Sequence, residues 1–287
     1  MALAQAAHDE GQAGKARFAY RDALELWRDL EEEEEGAMPL YSLGAARALH
    51  GLGNAFRRQN REAAARSYEE SLEIAARLGD EPLRALNLTA LGLVASQQER
   101  LEEAEQRLSE AVALFRGWED PWGLAIALNS RAQNLERLGQ PLQARDLYAE
   151  SLKIKRELGD RRGMAITLAA LGRLVPSVGE PEAARALLRE SLAVNRELGD
   201  AWGCAVTLGV LAERWLVEGD AEAALEAAAA ARAALEALGG GASEEAGELE
   251  ALMRAAHARL PTDQAVTLSR RGRETPIMRA CDAVLGD

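Results

Sequence analysis

The sequence repeats with a period of forty residues, and this period constrains the fold more than any other feature. Four phases of the repeat carry the same kind of residue in successive copies: an aspartate at Asp80, Asp120, Asp160 and Asp200, a leucine at Leu88, Leu128, Leu168 and Leu208, a glycine at Gly123, Gly163 and Gly203, and a small residue at Gly92, Ala132, Gly172 and Ala212. A period of roughly 20 to 50 residues is typical of solenoids, because one unit cannot bury its apolar face alone and stacked units bury it together.

Each unit is predicted to be a pair of helices. In the best-defined copy the residues Leu168, Leu171, Gly172 and Val175 recur at helical spacing and form one stripe. Gly179-Glu180-Pro181 then interrupts the helix, since glycine suits a helix end and proline suits a first turn. A second stripe follows, made of Ala184, Leu188, Ser191, Leu192 and Val194. Asp200 is predicted to cap the first helix of the next copy.

The composition indicates an all-α protein. Aromatic residues make up only 4% of the chain, whereas 48% of the residues are hydrophobic and 28% are charged. Ala, Leu, Glu and Arg, which are good helix formers, dominate the sequence. The apolar content is enough for a core, which a solenoid spreads along its length.

Charge and cysteine content limit the classes of partner and the compartment. The net charge of −13 opposes a broad surface for nucleic acid or an anionic membrane, because phosphate binding needs clustered Lys and Arg. No apolar run is long enough to span a membrane. Cys204 and Cys281 are far apart in sequence and form no CxxC motif, so we expect two inert, packed thiols in a reducing cytoplasm.

The repeat pattern resembles a known family. A large residue, Leu, a small residue and a second large residue recur, and Ala follows the small residue after twelve positions, as in Gly172 and Ala184. This pattern resembles the tetratricopeptide repeat, and the longer period is similar to arrays in bacterial multidomain transcriptional regulators and signalling ATPases. The resemblance implies a right-handed α-solenoid of stacked antiparallel helix pairs with a C-terminal capping helix. Arg131 departs from the pattern, since its sister copies carry Leu.

The resemblance also implies a domain organisation. A clipped helix-pair repeat at 1–30 and an acidic linker at 31–44 precede five repeats, and a capping helix and tail occupy 243–287. The predicted repeats are 45–84, 85–124, 125–164, 165–204 and 205–242. Ser243 is expected to cap the helix after the array, with Leu249, Leu252 and Met253 covering the last repeat, and Thr275-Pro276 to start a short final helix.

Motifs for catalysis or metal binding are weak. Gly11 to Lys15 has the look of a phosphate loop, but its glycine spacing is wrong and Ala16 replaces the Ser or Thr that would hold Mg²⁺. The three histidines stand alone, without HxH or HExxH spacing. We therefore predict no catalytic residue, no cofactor and no metal ion, and a protein that is not an enzyme.

The candidate binding residues lie on the open side of the first helices, which line the concave face of such an array. The first copy presents a basic stripe, because Arg and Asn grip carboxylates and peptide backbone. The predicted partner-binding residues are Arg47, His50, Asn54, Arg57 and Arg58 in the first copy, Thr89, Leu93 and Gln97 in the second, Asn129, Gln133 and Arg137 in the third, and Arg173 in the fourth. An ordinary solvated face would show the same residues.

Three functions remain open at this point. The favoured one is a non-enzymatic scaffold or sensor that binds a peptide or protein segment, biased toward acidic partners, in the concave groove. The alternative is the regulatory portion of a larger bacterial switch-ATPase regulator, whose ATPase and DNA-binding parts would lie outside this sequence. An enzyme with an unrecognised site is the third. Neither nucleic acid nor membrane is an expected direct partner.

Overall fold

The computed structural model describes residues 13–33, 38–57 and 59–286, and all regular structure within these ranges is helical. Consecutive helices pack against each other, so the all-α prediction is confirmed. The described helices are α1 (Ala13–Glu33), α2 (Met38–Phe56), α3 (Arg61–Leu78), α4 (Glu81–Gln97), α5 (Leu101–Gly117), α6 (Pro121–Arg137), α7 (Pro141–Leu158), α8 (Arg161–Leu174), α9 (Pro181–Glu197), α10 (Ala201–Glu218), α11 (Ala221–Ala237), α12 (Glu244–His257), α13 (Thr262–Glu274) and α14 (Ile277–Leu285), with a 3₁₀ helix at Val175–Val178.

The chain divides into two compact units, one ending at Ser151 and the other beginning at Leu152. The division lies within α7. Helices α2, α4, α6, α8 and α10 are the first helices of successive pairs, and α3, α5, α7, α9 and α11 are the second helices. The end of α1 and the start of α2 both lie inside the span 31–44, for which the sequence predicts an acidic linker.

The aspartate phase marks the starts of the first helices. Asp80, Asp120, Asp160 and Asp200 each accept a hydrogen bond, of 2.9 to 3.0 Å, from the backbone N–H three residues further on. Such a cap satisfies an amide that has no partner inside the helix, and its loss typically costs about 1 kcal/mol. The predicted cap at Asp200 is confirmed.

The small-residue phase lies where the two helices of a pair cross. A Cβ atom at Gly53 would lie 2.5 Å from the Tyr68 ring, and one at Gly92 would lie 2.6 Å from Leu108. These distances are too short for any side chain, so glycine lets a bulky residue of the second helix reach the first helix. Arg131, the departure from the pattern, pairs with Glu105 at 2.6 Å between the second and third pairs.

The glycine phase at the starts of the first helices has a different cause. A Cβ atom at Gly203 would meet the amide of Asn195, and one at Gly123 would meet the Phe115 ring. Both partners come from the preceding second helix. The junction between α3 and α4 reverses the sizes, because the buried Ala75 stands at the Phe115 phase and Leu83 at the glycine phase.

The helix ends of the second pair differ from those of its sisters. Gly79, Gly159 and Gly199 end their helices with φ between 66 and 69°, a left-handed conformation that suits glycine. In the second pair Glu99 and Glu119 stand at glycine phases and adopt φ of 62 and 50°. A side chain in this region is strained by about 1 to 2 kcal/mol.

Three helices follow the last pair. Ser243 caps α12 as predicted, and its hydroxyl accepts from the Ala246 amide at 3.2 Å. Leu249 is buried with Leu208 and the alanines of α11, which confirms that α12 covers the last pair. Helix α13 is not among the predicted elements. Helix α14, the short final helix that the sequence predicts, contacts α9, α10 and α11.

Candidate functional site

The structure separates the residues that the sequence predicts as one basic stripe on α2. Arg47 is exposed, and its guanidinium lies 3.9 Å from the Asp80 carboxylate at the start of α4. His50 and Asn54 are half-buried and engage side chains of neighbouring helices. Arg57 is half-buried at the end of α2, and Arg58 lies outside the described residues. The stripe is therefore not one continuous exposed surface.

His50 belongs to a chain of buried hydrogen bonds. Both N–H groups of the Asn87 amide are used, one donated to Ser71 Oγ at 2.8 Å and one to the Leu83 carbonyl at 3.0 Å. Asn87 Oδ1 therefore accepts from His50 Nδ1 at 2.9 Å, and this geometry assigns the ring proton to Nδ1. Ser71 in turn donates to the Ala46 carbonyl at 2.7 Å.

Burial also sets the charge of this cluster. Burial lowers the pKa of His50, the Asn87 bond opposes that effect, and the Arg57 charge adds to it. Burial raises the pKa of Tyr68 to about 12, with a smaller opposite contribution from Arg57. Tyr68 therefore stays a phenol and donates to Asn54 Oδ1 at 2.7 Å. His50 and Asn54 join helices together, while Arg57 supplies the positive charge beside them.

On α4 the three predicted residues differ in exposure. Thr89 is buried and donates to the Ala85 carbonyl of its own helix at 2.9 Å, so it is not available to a partner. Leu93 is half-buried and Gln97 is exposed. Because Leu93 and Gln97 are four residues apart, they lie on the same side of the helix.

On α6 the third copy adds one exposed amide and one structural arginine. Gln133 is exposed, at the phase of Leu93, and Asn129 is half-buried. Arg137 donates to Ser96 Oγ at 3.0 Å and to the Glu99 carboxylate at 2.5 Å, and also bonds the Ser96 carbonyl. It therefore fastens the end of α4. We name the remaining set of the first unit, Arg57, Leu93, Gln97 and Gln133, the first-helix face.

Arg173 lies in the second unit and has different surroundings. Its side chain is exposed on α8, and its charge lowers the pKa of Glu248 on α12, although burial is the larger cause and raises that pKa. Glu213, Glu244 and Glu245 act on Glu248 as well. Arg173 thus lies near the Glu248 carboxylate of α12, whereas Arg57 of the first-helix face lies near His50 and Tyr68.

Sequence reasoning missed an exposed aromatic edge in the first unit. Trp118, in the connection between α5 and α6, and Trp122, in the first turn of α6, are each 55% exposed. Trp118 borders a hollow on the surface with Arg47. The other residues that line this hollow are Leu43, Leu78, Asp80 and Pro82. The sequence does contain a sign of this surface. Trp118 occupies a repeat position at which the sister copies have a leucine, namely Leu78, Leu158 and Leu198.

The described residues offer hydrogen bonding and charge rather than a metal centre. Among them, no group of three or more His, Cys, Asp or Glu side chains could hold a metal ion. In the same part of the chain, no helix has the length and apolarity to cross a membrane. The first-helix face combines two amides, one apolar side chain and one guanidinium, which suits a peptide chain.

Comparisons with known proteins identify the repeat. The tetratricopeptide repeat model matches residues 44–117 and 123–197. BtubC (BKLC) from P. vanneervenii is similar in structure, with a TM-score of 0.65 and 19% identity over 79% of this chain and 92% of that one. A set of nearly identical TPR-like repeats from Podospora anserina gives a TM-score of 0.51 and 16% identity, over 69% of this chain and 93% of its own.

A third similar structure contains a bound molecule. It is a Rap protein in complex with competence and sporulation factor, with a TM-score of 0.63 and 14% identity over 91% of this chain and 74% of that chain. At these identities the likeness establishes the fold alone. No curated protein matches the sequence significantly.

Proposed function

This chain belongs to the tetratricopeptide repeat family, and from that premise we propose that it is a non-enzymatic protein-interaction module. Its first unit binds an extended peptide segment along the first-helix face, and it favours segments that carry a carboxylate. Family membership and the likeness to a Rap protein crystallised with its factor support a function in protein or peptide binding. Binding in the concave groove and the preference for acidic segments go beyond this support and are part of what we propose.

The exposure pattern on α4 and α6 carries the proposal. Gln97 and Gln133 are exposed, whereas their neighbours Thr89 and Arg137 are buried or engaged in holding helix ends. A glutamine amide offers one acceptor and two donors, so it can pair with the N–H and C=O of an extended backbone. Helices α2, α4 and α6 contact one another in turn, which makes their open sides neighbours. Leu93 adds apolar contact.

Arg57 supplies the charge preference. It lies at the end of α2, close enough to influence the pKa of both His50 and Tyr68. A guanidinium forms charge-assisted hydrogen bonds with a carboxylate, and these are worth more than neutral ones. We expect the acidic group of a bound segment next to Arg57. Arg47, in the middle of α2 and beside Asp80, is separate from this face and lines the surface hollow next to Trp118.

A panel of random peptides displayed on phage tests this function. Selected peptides should be rich in Asp or Glu, and Arg57→Glu should weaken their binding about tenfold or more. Gln97→Ala with Gln133→Ala should weaken binding of the same peptides without altering helicity. Arg66→Glu is the matched control, because it makes the same charge reversal at an exposed residue of the second helix α3.

The outcome separates this face from the rest of the surface. Equal losses for Arg57→Glu and Arg66→Glu would mean that net charge alone governs binding. If binding survives Gln97→Ala with Gln133→Ala but is lost in Arg47→Glu, the binding site would be the surface hollow next to Trp118. The alternative hypothesis, that the chain is the sensor portion of a larger regulator, uses the same face and requires a partner activity supplied from outside this sequence.

A further inference from the structure

The second helices carry an arginine at one fixed phase, and the last of these arginines has changed partner. Arg116 pairs with Glu150, and Arg156 pairs with Glu190, each at 2.7 Å and each with a residue 34 positions further along. For Arg196 that position is Ala230, which has no charge. Arg196 instead pairs with Asp282 on α14. The chain's last helix therefore supplies the carboxylate that the next second helix lacks.

A second arginine of α9 also contacts the C-terminal end of α14. Arg189 donates to the backbone carbonyl of Leu285 at 2.7 Å and to that of Val284. These carbonyls lie in the last turn of α14, where they have no partner inside the helix, and a cation is favoured there. Two arginines of α9 thus fix α14, which contacts α9, α10 and α11.

The docked helix brings together two thiols that are 77 positions apart in sequence. Cys281 on α14 and Cys204 on α10 are both fully buried, in one apolar cluster with Leu188, Leu192 and Leu211. They share this cluster, and both are free thiols. Both thiols are packed, as expected, but their position in one cluster was not predicted, because it depends on the docking of α14 and not on their spacing in sequence.

We propose that Cys204 and Cys281 form a redox latch, in which a disulfide locks α14 onto α9 and α10. The oxidant is a low-molecular-weight disulfide such as oxidised glutathione. One protein thiolate attacks it and forms a mixed disulfide, which releases one glutathione. The second protein thiolate attacks the protein sulfur of that mixed disulfide and releases the other glutathione. Two protein thiols lose two electrons and two protons, which the oxidised glutathione receives.

Cys204 is the better placed of the two sulfurs to react first. The hydrogen bond from Cys281 lowers the pKa of Cys204, whereas the same bond and burial raise the pKa of Cys281. A thiolate is the attacking species in disulfide exchange. Both sulfurs are covered, so the oxidant gains access when α14 lifts from α9. The two arginine contacts hold the nine-residue helix α14 in place. Weakening them should therefore accelerate formation of the disulfide.

The test uses the full chain and oxidised glutathione. In the wild type, titration in denaturant should find two free thiols before oxidation and none afterwards. The intact mass should fall by two hydrogens without any glutathione adduct, and a non-reducing peptide map should link Cys204 to Cys281. Cys281→Ser and Cys204→Ser should each gain one glutathione instead.

A kinetic arm keeps the proposal falsifiable if a cysteine variant fails to fold. Asp282→Ala removes the Arg196 pair and should accelerate disulfide formation about two- to fivefold, the scale of one surface ion pair. Glu190→Ala, which breaks the phase-related pair with Arg156, should leave the rate unchanged. Glutathione adducts on both cysteines, disulfide-linked dimers, or two thiols that persist in the wild type and in Asp282→Ala would each overturn the latch.

Discussion

Two junctions of the first unit join helix pairs in the same way but are built from different chemistry. Between α3 and α4, Ser71 and Asn87 are fully buried and hydrogen-bonded to each other, and Asn87 also bonds His50. Between α5 and α6 the same two phases carry Ala111 and Ala127, which are also fully buried. The comparison shows that these two phases accept either a hydrogen-bonded Ser–Asn pair or two alanines. Burying one polar partner without the other is costly, whereas replacing both partners by apolar residues is not.

The two junctions also differ in the surface residues beside them. At the polar junction His50 is tied to Asn87, and the half-buried Arg57 lies beside it. At the apolar junction arginines hold the helices from outside, since Arg131 pairs with Glu105 and Arg137 bonds the end of α4. The chemistry of a junction thus decides which first-helix residues stay available to a partner.

The largest effect is expected from placing one half of the polar network in the apolar junction. Ala127→Asn would bury an amide opposite the fully buried Ala111, with no side-chain partner across the junction for its remaining N–H and its Oδ1. The combined cost of desolvation and overpacking is about 4 kcal/mol. Urea unfolding of the full chain, followed by circular dichroism, measures it. Ala111→Ser added to Ala127→Asn restores a partner and should recover at least about 1 kcal/mol; no recovery would contradict the pairing argument.

A third junction, in the second unit, contains a charge. Lys155 is 5% exposed and donates to Thr167 Oγ1 at 2.7 Å. Burial lowers its pKa from 10.5 to about 8, with a smaller opposite contribution from Asp160. Between these two pH values the unfolded chain binds more protons than the folded one, so stability rises with pH. The whole increase is about 3 kcal/mol.

Lys155→Met separates this contribution from other groups that titrate at high pH. The variant should be more stable than the wild type at pH 7, and the difference should shrink as the pH rises from 8 toward 10.5. Parallel stability profiles for the two proteins across that range would show that Lys155 keeps its ordinary pKa. The measurement is the free energy of unfolding in urea at a series of pH values.

A smaller effect is expected from breaking the polar junction itself. Asn87→Ala removes the acceptor for His50 Nδ1 and a donor to Ser71, whose hydroxyl keeps its bond to the Ala46 carbonyl. We expect a loss of about 2 kcal/mol. Ser71→Ala with Asn87→Ala converts the site to the alanine pair of the apolar junction and should cost about 1 kcal/mol less than the two single changes added together. Strict additivity would mean that the two side chains act independently.

The sequence predicts the parts of this fold that repeat and misses the parts that depend on neighbours. Helix pairs, the cap at Asp200 and the small residues at crossings follow from the period, because they depend on spacing along one chain segment. The state of His50 depends on Asn87 in the next pair, and the contact of Cys204 with Cys281 depends on where α14 docks. Tertiary contacts between helix pairs decide which side chains of a helix face are already engaged within the fold. The repeat period does not predict these contacts.

The smallest effect concerns the helix ends that distinguish the second pair. Glu119 has φ of 50° at a phase where Gly79, Gly159 and Gly199 stand, so Glu119→Gly should relieve backbone strain. Glycine also gives the unfolded chain more freedom, which leaves a net gain of about 0.5 to 1 kcal/mol. Glu99→Gly is the matched comparison: it removes similar strain but also the 2.5 Å contact with Arg137. It should therefore gain less, and the gap between the two variants in urea unfolding measures how much the Arg137 contact contributes to holding α4 and α6 together. An equal or larger gain for Glu99→Gly than for Glu119→Gly would mean that the contact with Glu99 contributes nothing to stability, and that Arg137 holds α4 through Ser96 alone.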